Sequence, residues 1–393
     1  MSGFNSSITG DFDKYFMTTT ELIDRYAQGG LWGCGYNSKG SLGDGTITYR
    51  SSPVQTIAGG TNWKQISHTG YHHTAIKTDG TLWVWGYNAY GQLGDNTIVP
   101  KSSPVQTIAG GTNWKYVSGG QFHTAAIKTD GTLWTWGYDF NGQLGDNTQV
   151  AKSSPIQTIA GGTSWKQVSG GTTYTAAIKT DGTLWLWGSN VNGGLGDNTI
   201  IDKSSPVQTI AGGTNWKQVS ASPNGWQTAA IKTDGTLWTW GYDFNGQLGD
   251  NTQVNKSSPV QTIAGGTNWK QVSMAHRHFA ALKTDGTLWT CGYNVQGGLG
   301  DNTNTQKLSP VQTITGGSNW KQVSCGQHCT TAIKTDGTLW LWGWNGSTQL
   351  GDNTFTNRSS PIQTIAGGTN WKQVSAGGNY TSAIQYSDIG QVL

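Results

Sequence analysis

The residues best able to do chemistry in this chain of 393 residues are four cysteines, seven histidines and 21 acidic residues. Cys325, His328 and Cys329 are close enough in sequence to bind zinc together, provided that a neighbouring segment supplies a fourth ligand. His276 and His278 are the candidates for that ligand. Spacing alone is weak support for a metal site against ordinary loop packing, so we predict that the chain holds no metal.

The acidic residues mostly recur at fixed places. Six lie in Thr-Asp-Gly segments and seven in Leu-Gly-Asp segments, namely Asp79, Asp130, Asp181, Asp234, Asp285 and Asp336, and Asp44, Asp95, Asp146, Asp197, Asp250, Asp301 and Asp352. A residue that every copy of a repeat needs is most simply a former of turns or loops. Acid–base catalysis needs one particular pair in one environment, and no such pair stands out. We therefore predict a protein that is not an enzyme, with no catalytic residues and no cofactor.

A unit of about fifty residues recurs seven times. Its Leu-Trp pair begins at Leu31, Leu82, Leu133, Leu184, Leu237, Leu288 and Leu339, so that five of the six spacings are 51 residues and one is 53. A period of this size, built from short strand-like segments, indicates a propeller or a solenoid.

One unit reads as four strands, which we illustrate with residues 114–165. Strand-like runs cover 114–118, 124–129, 132–137 and 155–159. Asp130-Gly131 between the second and third runs predicts a hairpin with a type I′ turn. A proline at the start of the fourth run suits a strand at the edge of a sheet.

Seven such units predict an all-β fold, a seven-bladed β-propeller of four-stranded antiparallel blades over residues 31–393. The first unit has only a third and a fourth strand, and the last has only a first and a second. The closing blade is therefore expected to be shared between the two ends of the chain, which removes exposed sheet edges. Residues 1–30 are expected to form an N-terminal arm in which residues 20–27 could form a short helix, and the arm could anchor the protein to a partner.

Charge and hydropathy exclude several classes of partner. The net charge is +3, and the lysines recur in every unit, so we expect them to be spread around the ring without forming a patch. This predicts no nucleic-acid partner. No apolar run is long enough to span a membrane, and the first residues lack the pattern of a secretory signal, so we predict neither membrane insertion nor a signal peptide.

The segment 119–146 carries a compact motif. Its positions are Gly119, Gly120, His123, Thr124, Gly131, Trp136, Gly137, Gly142, Gln143, Leu144 and Gly145. This pattern closely resembles the repeat of the regulator of chromosome condensation family, and the resemblance covers residues 31–393. It implies a seven-bladed propeller.

The founding members of that family are guanine-nucleotide exchange factors for a small GTPase that also bind chromatin. The family uses an inserted β-wedge for exchange and a basic tail for chromatin, and we identify neither in this sequence. The near-identical units are instead similar to those of bacterial and bacteriophage members.

Variation between the units points to a binding surface. The segments joining strands one and two, and those joining strands three and four, differ from unit to unit, whereas the other two connections barely change. In an antiparallel blade both variable connections must emerge on the same face. Loops on a rigid scaffold commonly carry binding, although neutral drift at loop tips is an alternative. The predicted binding residues are Tyr71, His72, Tyr90, Phe122, His123, Phe140, Tyr174, Trp226, Phe244, His276, Arg277, His278, His328, Trp344 and Tyr380.

The leading functional hypothesis is a non-enzymatic binding or structural propeller in a virion or on a bacterial surface, with other virion or surface proteins as partners. One alternative is an intracellular adaptor or a relative of the exchange factors, which would place the protein in the cytoplasm. Another is a lectin-like protein that binds surface glycans, because exposed Trp226, Trp344 and Tyr71 could stack on sugar rings.

Overall fold

The computed structural model of the chain describes residues 29–68, 70–314 and 317–386. The predicted helix in the N-terminal arm lies outside these residues. Every regular element in the described ranges is a β-strand. No helix in these ranges is long and apolar enough to cross a membrane.

The strands are short and nearly uniform in length. In chain order they are β1 (Gly29–Gly35), β2 (Arg50–Gln55), β3 (Trp63–His68), β4 (His72–Lys77), β5 (Leu82–Gly86), β6 (Lys101–Gln106), β7 (Trp114–Gly119), β8 (His123–Lys128), β9 (Leu133–Gly137), β10 (Lys152–Gln157), β11 (Trp165–Gly170), β12 (Tyr174–Lys179), β13 (Leu184–Gly188), β14 (Lys203–Gln208), β15 (Trp216–Ala221), β16 (Gln227–Lys232), β17 (Leu237–Gly241), β18 (Lys256–Gln261), β19 (Trp269–Met274), β20 (His278–Lys283), β21 (Leu288–Gly292), β22 (Lys307–Gln312), β23 (Trp320–Cys325), β24 (Cys329–Lys334), β25 (Leu339–Gly343), β26 (Arg358–Gln363), β27 (Trp371–Ala376) and β28 (Tyr380–Tyr386).

These strands form seven four-stranded antiparallel sheets, the blades of a β-propeller. Blades 1 to 6 each use four consecutive strands, beginning with β3 and ending with β26. Blade 7 has the order β27-β28-β1-β2, so the two ends of the chain close the ring as the sequence predicted. The first strand of each blade lines a central cavity of about 180 Å³.

The turn between the second and third strands is not the predicted type I′. In blade 2, Gly131 N donates to Lys128 O and Lys128 N donates to Thr132 O, each at 3.0 Å. Of the turn residues only Gly131 has a positive φ, 82°, whereas a type I′ turn needs two consecutive residues of that kind. The chain therefore forms a three-residue loop, a type I turn followed by a left-handed glycine. A Cβ on this glycine would collide with Thr163 O of the next blade.

The outer strand begins three residues earlier than predicted. Pro155 lies inside β10, not at its start. Lys152 pairs with Gly137 and Ile156 pairs with Thr135, so two extra residues are inserted into the outer strand at this point. An outer strand is paired on one side only, and an irregular edge tolerates the missing N–H of proline.

In five of the seven blades, a buried tryptophan near the end of the third strand joins the blade to the preceding one. Trp136 is fully buried, and its Nε1 donates a hydrogen bond of 2.9 Å to Gln92 O in blade 1. Bonds of 2.8–3.0 Å are made in the same way by Trp85, Trp187, Trp240 and Trp342. Since each ring of this size removes roughly 150–250 Å² from water, these side chains supply much of the cohesion between blades.

Glutamine side chains connect the inner strands around the central cavity. Gln65 Nε2 donates to Val117 O at 3.0 Å, and Gln65 Oε1 accepts from Val117 N at 3.3 Å, so the amide substitutes for a peptide group between two blades. The same two bonds join Gln167 to Val219, Gln218 to Val272, Gln271 to Val323, and Gln373 to Ile66. The last pair connects blade 7 to blade 1 and completes the ring. Tyr116 replaces this glutamine in blade 2.

Replacing Gln271 with leucine should destabilise the protein without changing its fold. The substitution leaves Val323 N and Val323 O without their partner, and an unsatisfied buried backbone group costs about 1–3 kcal/mol. We expect the free energy of unfolding to fall by about that amount, as measured by urea denaturation followed by tryptophan fluorescence. The neighbouring exposed Lys270→Gln variant is the control. Equal midpoints for wild type and Gln271→Leu would contradict the role of the glutamines.

Candidate functional site

The two kinds of variable loop emerge on one face of the ring. Tyr71 follows β3 and Tyr90 follows β5, yet both lie against Phe122, with ring centroids 5.4 and 5.5 Å away. The other two connections meet on the opposite side, where Trp114 N donates to Gly80 O at 3.0 Å. We call these the variable face and the constant face.

Six aromatic side chains from blades 1 and 2 pack into one cluster on the variable face. They are Tyr71, Tyr87, Tyr90, Phe122, Tyr138 and Phe140, with neighbouring ring centroids 4.7–6.3 Å apart. Beside them a cleft of about 290 Å³ is lined by Tyr36, Lys39, Tyr71, Tyr87 and Phe122. This aromatic cleft spans blades 7, 1 and 2, and it is polar at the lysine and apolar elsewhere.

Two smaller aromatic groups lie further around the same face. In blade 4, Tyr242 packs between Trp226 and Phe244, at 6.0 and 6.5 Å. In blades 5 and 6, His328 contacts His276, Tyr293 and Trp344, at 5.9, 6.0 and 6.4 Å. Arg277 lies over the Tyr293 ring at 5.5 Å.

The two histidines of the second group are neutral at neutral pH. Burial and, to a smaller extent, the positive charge of Arg277 lower the pKa of His276 to about 4. The pKa of His328 falls to about 4 for the same two reasons. Arg277 therefore carries the positive charge of this group, and the imidazoles offer only neutral hydrogen bonding.

Five of the fifteen predicted binding residues are buried between blades. His72, His123 and His278 each contact a threonine hydroxyl of the following blade through Nε2, at 2.7, 2.8 and 2.9 Å. Tyr174 donates to Gln227 O at 2.5 Å, and Tyr380 donates to His72 O at 3.3 Å.

Burial lowers the pKa of His123 and of His278 to about 3, so both are neutral. The five buried residues are therefore not part of the surface that the variable face exposes. Of the other predicted residues, Tyr71, Phe140 and Phe244 are the most open, at 39%, 58% and 67% exposure.

Sequence reasoning missed the tyrosine that follows the third strand. Tyr36, Tyr87, Tyr138, Tyr242 and Tyr293 all occupy this place in their units. The predicted set consists of residues in segments that vary between units, and a tyrosine that recurs in five units does not stand out by that criterion. The preceding glycine ends the strand at the variable face, and that signal could have placed these rings there.

The zinc candidates do not converge. Among the described residues, no group of three or more histidine, cysteine or acidic side chains is arranged to hold a metal ion. Cys325 and Cys329 are buried thiols, and burial raises the pKa of each to about 12. His328 instead faces the aromatic residues of the variable face.

The lysines are spread around the ring, as the sequence predicts, but they are unevenly divided between its two faces. Within the described ranges, the constant-face ends of the first and second strands carry thirteen lysines, and the turns there carry six aspartates. Elsewhere in those ranges, on the side of the variable loops, nine basic residues face ten aspartates. Sequence order hid this separation, because each unit contributes charges to both faces.

Comparison with known families adds a further finding. Six segments of the chain match the model of the regulator of chromosome condensation (RCC1) repeat, namely residues 79–127, 130–178, 181–225, 234–282, 285–333 and 336–384. A second model of the same repeat matches residues 63–92 and 114–143.

Several proteins are similar in sequence. The ultraviolet-B receptor UVR8 of Arabidopsis thaliana is 32% identical over 341 residues, which are 84% of this chain and 76% of the receptor. The mitochondrial RCC1 domain-containing protein RUG3 of the same plant is 26% identical, over 78% of this chain and 71% of its own length. The human E3 ubiquitin-protein ligase HERC2 is 26% identical over 90% of this chain, which corresponds to only 8% of the ligase.

Solved structures show the same fold. Human WBSCR16 superposes with a TM-score of 0.79 at 18% identity, covering 91% of this chain and 99% of its own. Prp20p of Saccharomyces cerevisiae superposes with a TM-score of 0.80 at 17% identity, covering 95% and 96%.

These relatives come from plants, mammals and yeast, and they do not support the predicted likeness to bacterial and bacteriophage members or a place in a virion. The family matches span more than half of the chain and recur blade after blade. The protein therefore belongs to the regulator of chromosome condensation (RCC1) repeat family.

Proposed function

We propose that this protein is a non-enzymatic adaptor that binds another protein through its variable face, with the aromatic cleft at the centre of the contact. One observation carries the proposal: rings from two blades converge beside an open cleft, and Tyr71 remains 39% exposed there. Aromatic side chains on a rigid scaffold supply a large contact area at a small entropy cost, and they dominate the energetics of many interfaces.

The chemistry of the cleft limits the partner. Tyr36 stands on one side, Tyr71 and Phe122 on the other, and Lys39 adds a single positive charge. A protein segment that inserts an apolar side chain between the rings and presents a carboxylate to the lysine would match both features.

The comparisons favour an adaptor over a virion component. The solved structure of Prp20p was described together with its binding to Gsp1p and histones, so a propeller of this fold can bind protein partners. The four cysteines of this chain are free and buried, which suits a reducing compartment. We therefore infer an intracellular role.

Truncating the rings of the cleft should remove partner binding. The full-length protein would be used to isolate partners from its source cells, and the affinity of each purified partner would be measured by calorimetry. We expect Tyr71→Ala and Phe122→Ala each to weaken binding at least about tenfold, because a central aromatic contact is worth about 1–2 kcal/mol or more. The control is Phe244→Ala, which removes an exposed ring from blade 4, outside the aromatic cleft. Unchanged affinity in both cleft variants would contradict the proposal.

Two parallel assays separate the other functions. Accelerated release of nucleotide from a small GTPase would contradict the adaptor function and show that the protein is an exchange factor. Binding to a glycan array would show instead that the protein binds glycans, provided that the binding is lost in Tyr71→Ala, Trp226→Ala or Trp344→Ala.

A further inference from the structure

Seven lysines surround the central cavity on the constant face. Each follows the tryptophan that begins the first strand of a blade: Lys64, Lys115, Lys166, Lys217, Lys270, Lys321 and Lys372. All seven are exposed. Because these strands are the innermost and start at the constant face, the lysines form a ring around the mouth of the cavity, which we call the lysine ring.

Among the described residues, no acidic side chain pairs with a lysine of the lysine ring. The ion pairs in the described ranges are all made by basic residues outside the lysine ring. An example is Lys101, which pairs with Asp95 at 3.6 Å. Lys372 lies over the Tyr386 ring, at 5.0 Å, and the remaining six lysines extend into solvent.

The charges further from the axis are compensated. Lys128 lies between the rings of Trp114 and Trp134, at 4.9 and 4.4 Å, and five other blades repeat this arrangement. Hydrogen bonds from Thr132 and the charge of Lys128 hold the pKa of Asp130 below its ordinary value, so this carboxylate is ionised. The outer lysines and the turn aspartates therefore offset each other, and the surplus positive charge lies at the mouth.

The fold itself does not need lysine at these positions. The position that follows each of these lysines carries a glutamine in six units and Tyr116 in the other, although the glutamine bonds to the next blade. The lysine occurs in all seven units, although its side chain is exposed.

We propose that the lysine ring binds an acidic segment of a partner protein, whose aspartate or glutamate carboxylates enter the mouth of the central cavity. The Gln65, Ser67 and Gln167 side chains that line the cavity are polar and do not oppose such a segment. Six turn aspartates lie outside the ring, so a nucleic-acid duplex lying across this face would bring its phosphates against them. A flexible acidic chain avoids those aspartates by approaching along the axis.

Binding of a synthetic oligoglutamate peptide, followed by fluorescence polarisation, tests this proposal. We expect binding that weakens as salt is raised, and a loss of at least about tenfold when Lys115, Lys217 and Lys321 are all changed to glutamine. The control changes Lys101, Lys203 and Lys307 to glutamine, which removes the same charge from the other face.

Three results would overturn the proposal. They are no binding by the wild type, an equal loss in both triple variants, or a duplex DNA that competes with the peptide more strongly than free oligoglutamate does.

A different observation carries a second inference, about the loops that follow the third strands. In blade 1, Asn88 Nδ2 donates to Asp95 Oδ1 at 3.1 Å and to Thr97 O and Val99 O at 3.1 and 3.2 Å. Its Oδ1 accepts from Leu93 N at 2.9 Å. Equivalent clamps are built on Asn37, Asn190, Asn294 and Asn345.

Blades 2 and 4 have an aspartate in place of the clamp asparagine. Asp139 and Asp243 are fully buried, and each keeps the bond from a leucine N–H, at 2.8 Å. In the other five blades the clamp asparagine donates an N–H to the aspartate at the equivalent position. An ionised carboxylate has no hydrogen to donate in this way to Asp146 or Asp250. A protonated one supplies that hydrogen through its O–H.

The groups that face the two aspartates are few. Asp139 faces the Asp146 carboxylate and the Thr148 hydroxyl, which lies 3.4 Å away. Lys152 pairs with Asp146 at 3.6 Å. Burial, together with the charge of Asp146, outweighs the hydrogen bond from Leu144 N, and the pKa of Asp139 rises to about 7.

Asp243 has a matching environment. It faces Asp250, the Thr252 hydroxyl at 3.5 Å, and the buried Cys291 thiol, and Lys256 pairs with Asp250 at 3.3 Å. Burial and the charge of Asp250 raise the pKa of Asp243 to about 7. The hydrogen bond from Leu248 N and the charge of Lys256 oppose this shift but do not cancel it.

We propose that Asp139 and Asp243 act as proton-dependent clamps for the two aromatic loops that contain them. When protonated, each donates to the neighbouring aspartate as the asparagines do. When ionised, the two carboxylates repel, and the loops carrying Phe140 and Phe244 are less firmly held.

The sign of the pH dependence follows from linkage. The pKa of each group is higher in the folded chain, about 7, than the ordinary value of 3.8, so the folded state binds more protons between these two pH values. The stabilisation is complete below the lower value and is lost as the pH rises through about 7.

The double variant Asp139→Asn, Asp243→Asn restores the residue used by five other blades and removes the titration. We expect its urea midpoint to change less than that of the wild type between about pH 5 and about pH 8, and to exceed the wild-type midpoint at the higher value. Asn88→Asp should add a third clamp of this kind and steepen the pH dependence. Identical pH profiles for wild type and the double variant would overturn the inference.

Discussion

The structure depends on bonds that leave one blade and end on the next. No blade can bury both of its faces alone, and each hydrophobic cluster accordingly draws on two neighbours: Trp165 and Trp187 of blade 3 pack with Leu133 of blade 2. At the inner edge the sheets are too far apart to pair through their backbones, so a glutamine amide bridges them with one donor and one acceptor. These partners must face each other across every junction, which explains why their residue types recur.

This constraint divides the molecule into a uniform and a variable part. On the constant face the turn glycine is pressed against the next blade, and a Cβ on Gly131 would strike Thr163 O. On the variable face, the contact with the next blade is made by the first residue of the second strand. His123, Tyr174 and Cys329 all occupy that position although they differ chemically. Geometry there fixes the direction of a side chain and leaves its type open.

The sequence predicts the number of blades, their four strands and the shared closing blade, because each follows from a period and from strand direction. It does not predict which variable residues reach solvent. His72 and Tyr71 are adjacent and both vary, yet the first points into the next blade and the second into the aromatic cleft. Side-chain direction at a strand start is set by the twist of the sheet against its neighbour, and no pattern within one unit records that.

Blades 5 and 7 show how far one junction tolerates change. Both replace the buried tryptophan with cysteine, and the thiols remain buried. In blade 5, Phe279 stands where five other blades have threonine and blade 1 has His73, and its ring lies against Gly249 as Trp187 lies against Gly145. The lost volume is thus restored from the adjacent strand.

In blade 7 the cross-strand neighbour of Cys34 is Thr381, a small residue as in most blades. A small cavity lined by both residues extends to Leu341 of blade 6. The thiol reaches Gln349 O at 3.5 Å, a longer and weaker bond than the tryptophan bonds elsewhere. The less filled junction is therefore the one that involves the blade joining the two ends of the chain. A missing ring and a break in the chain act on the same blade, and both reduce the cost of opening the propeller locally there.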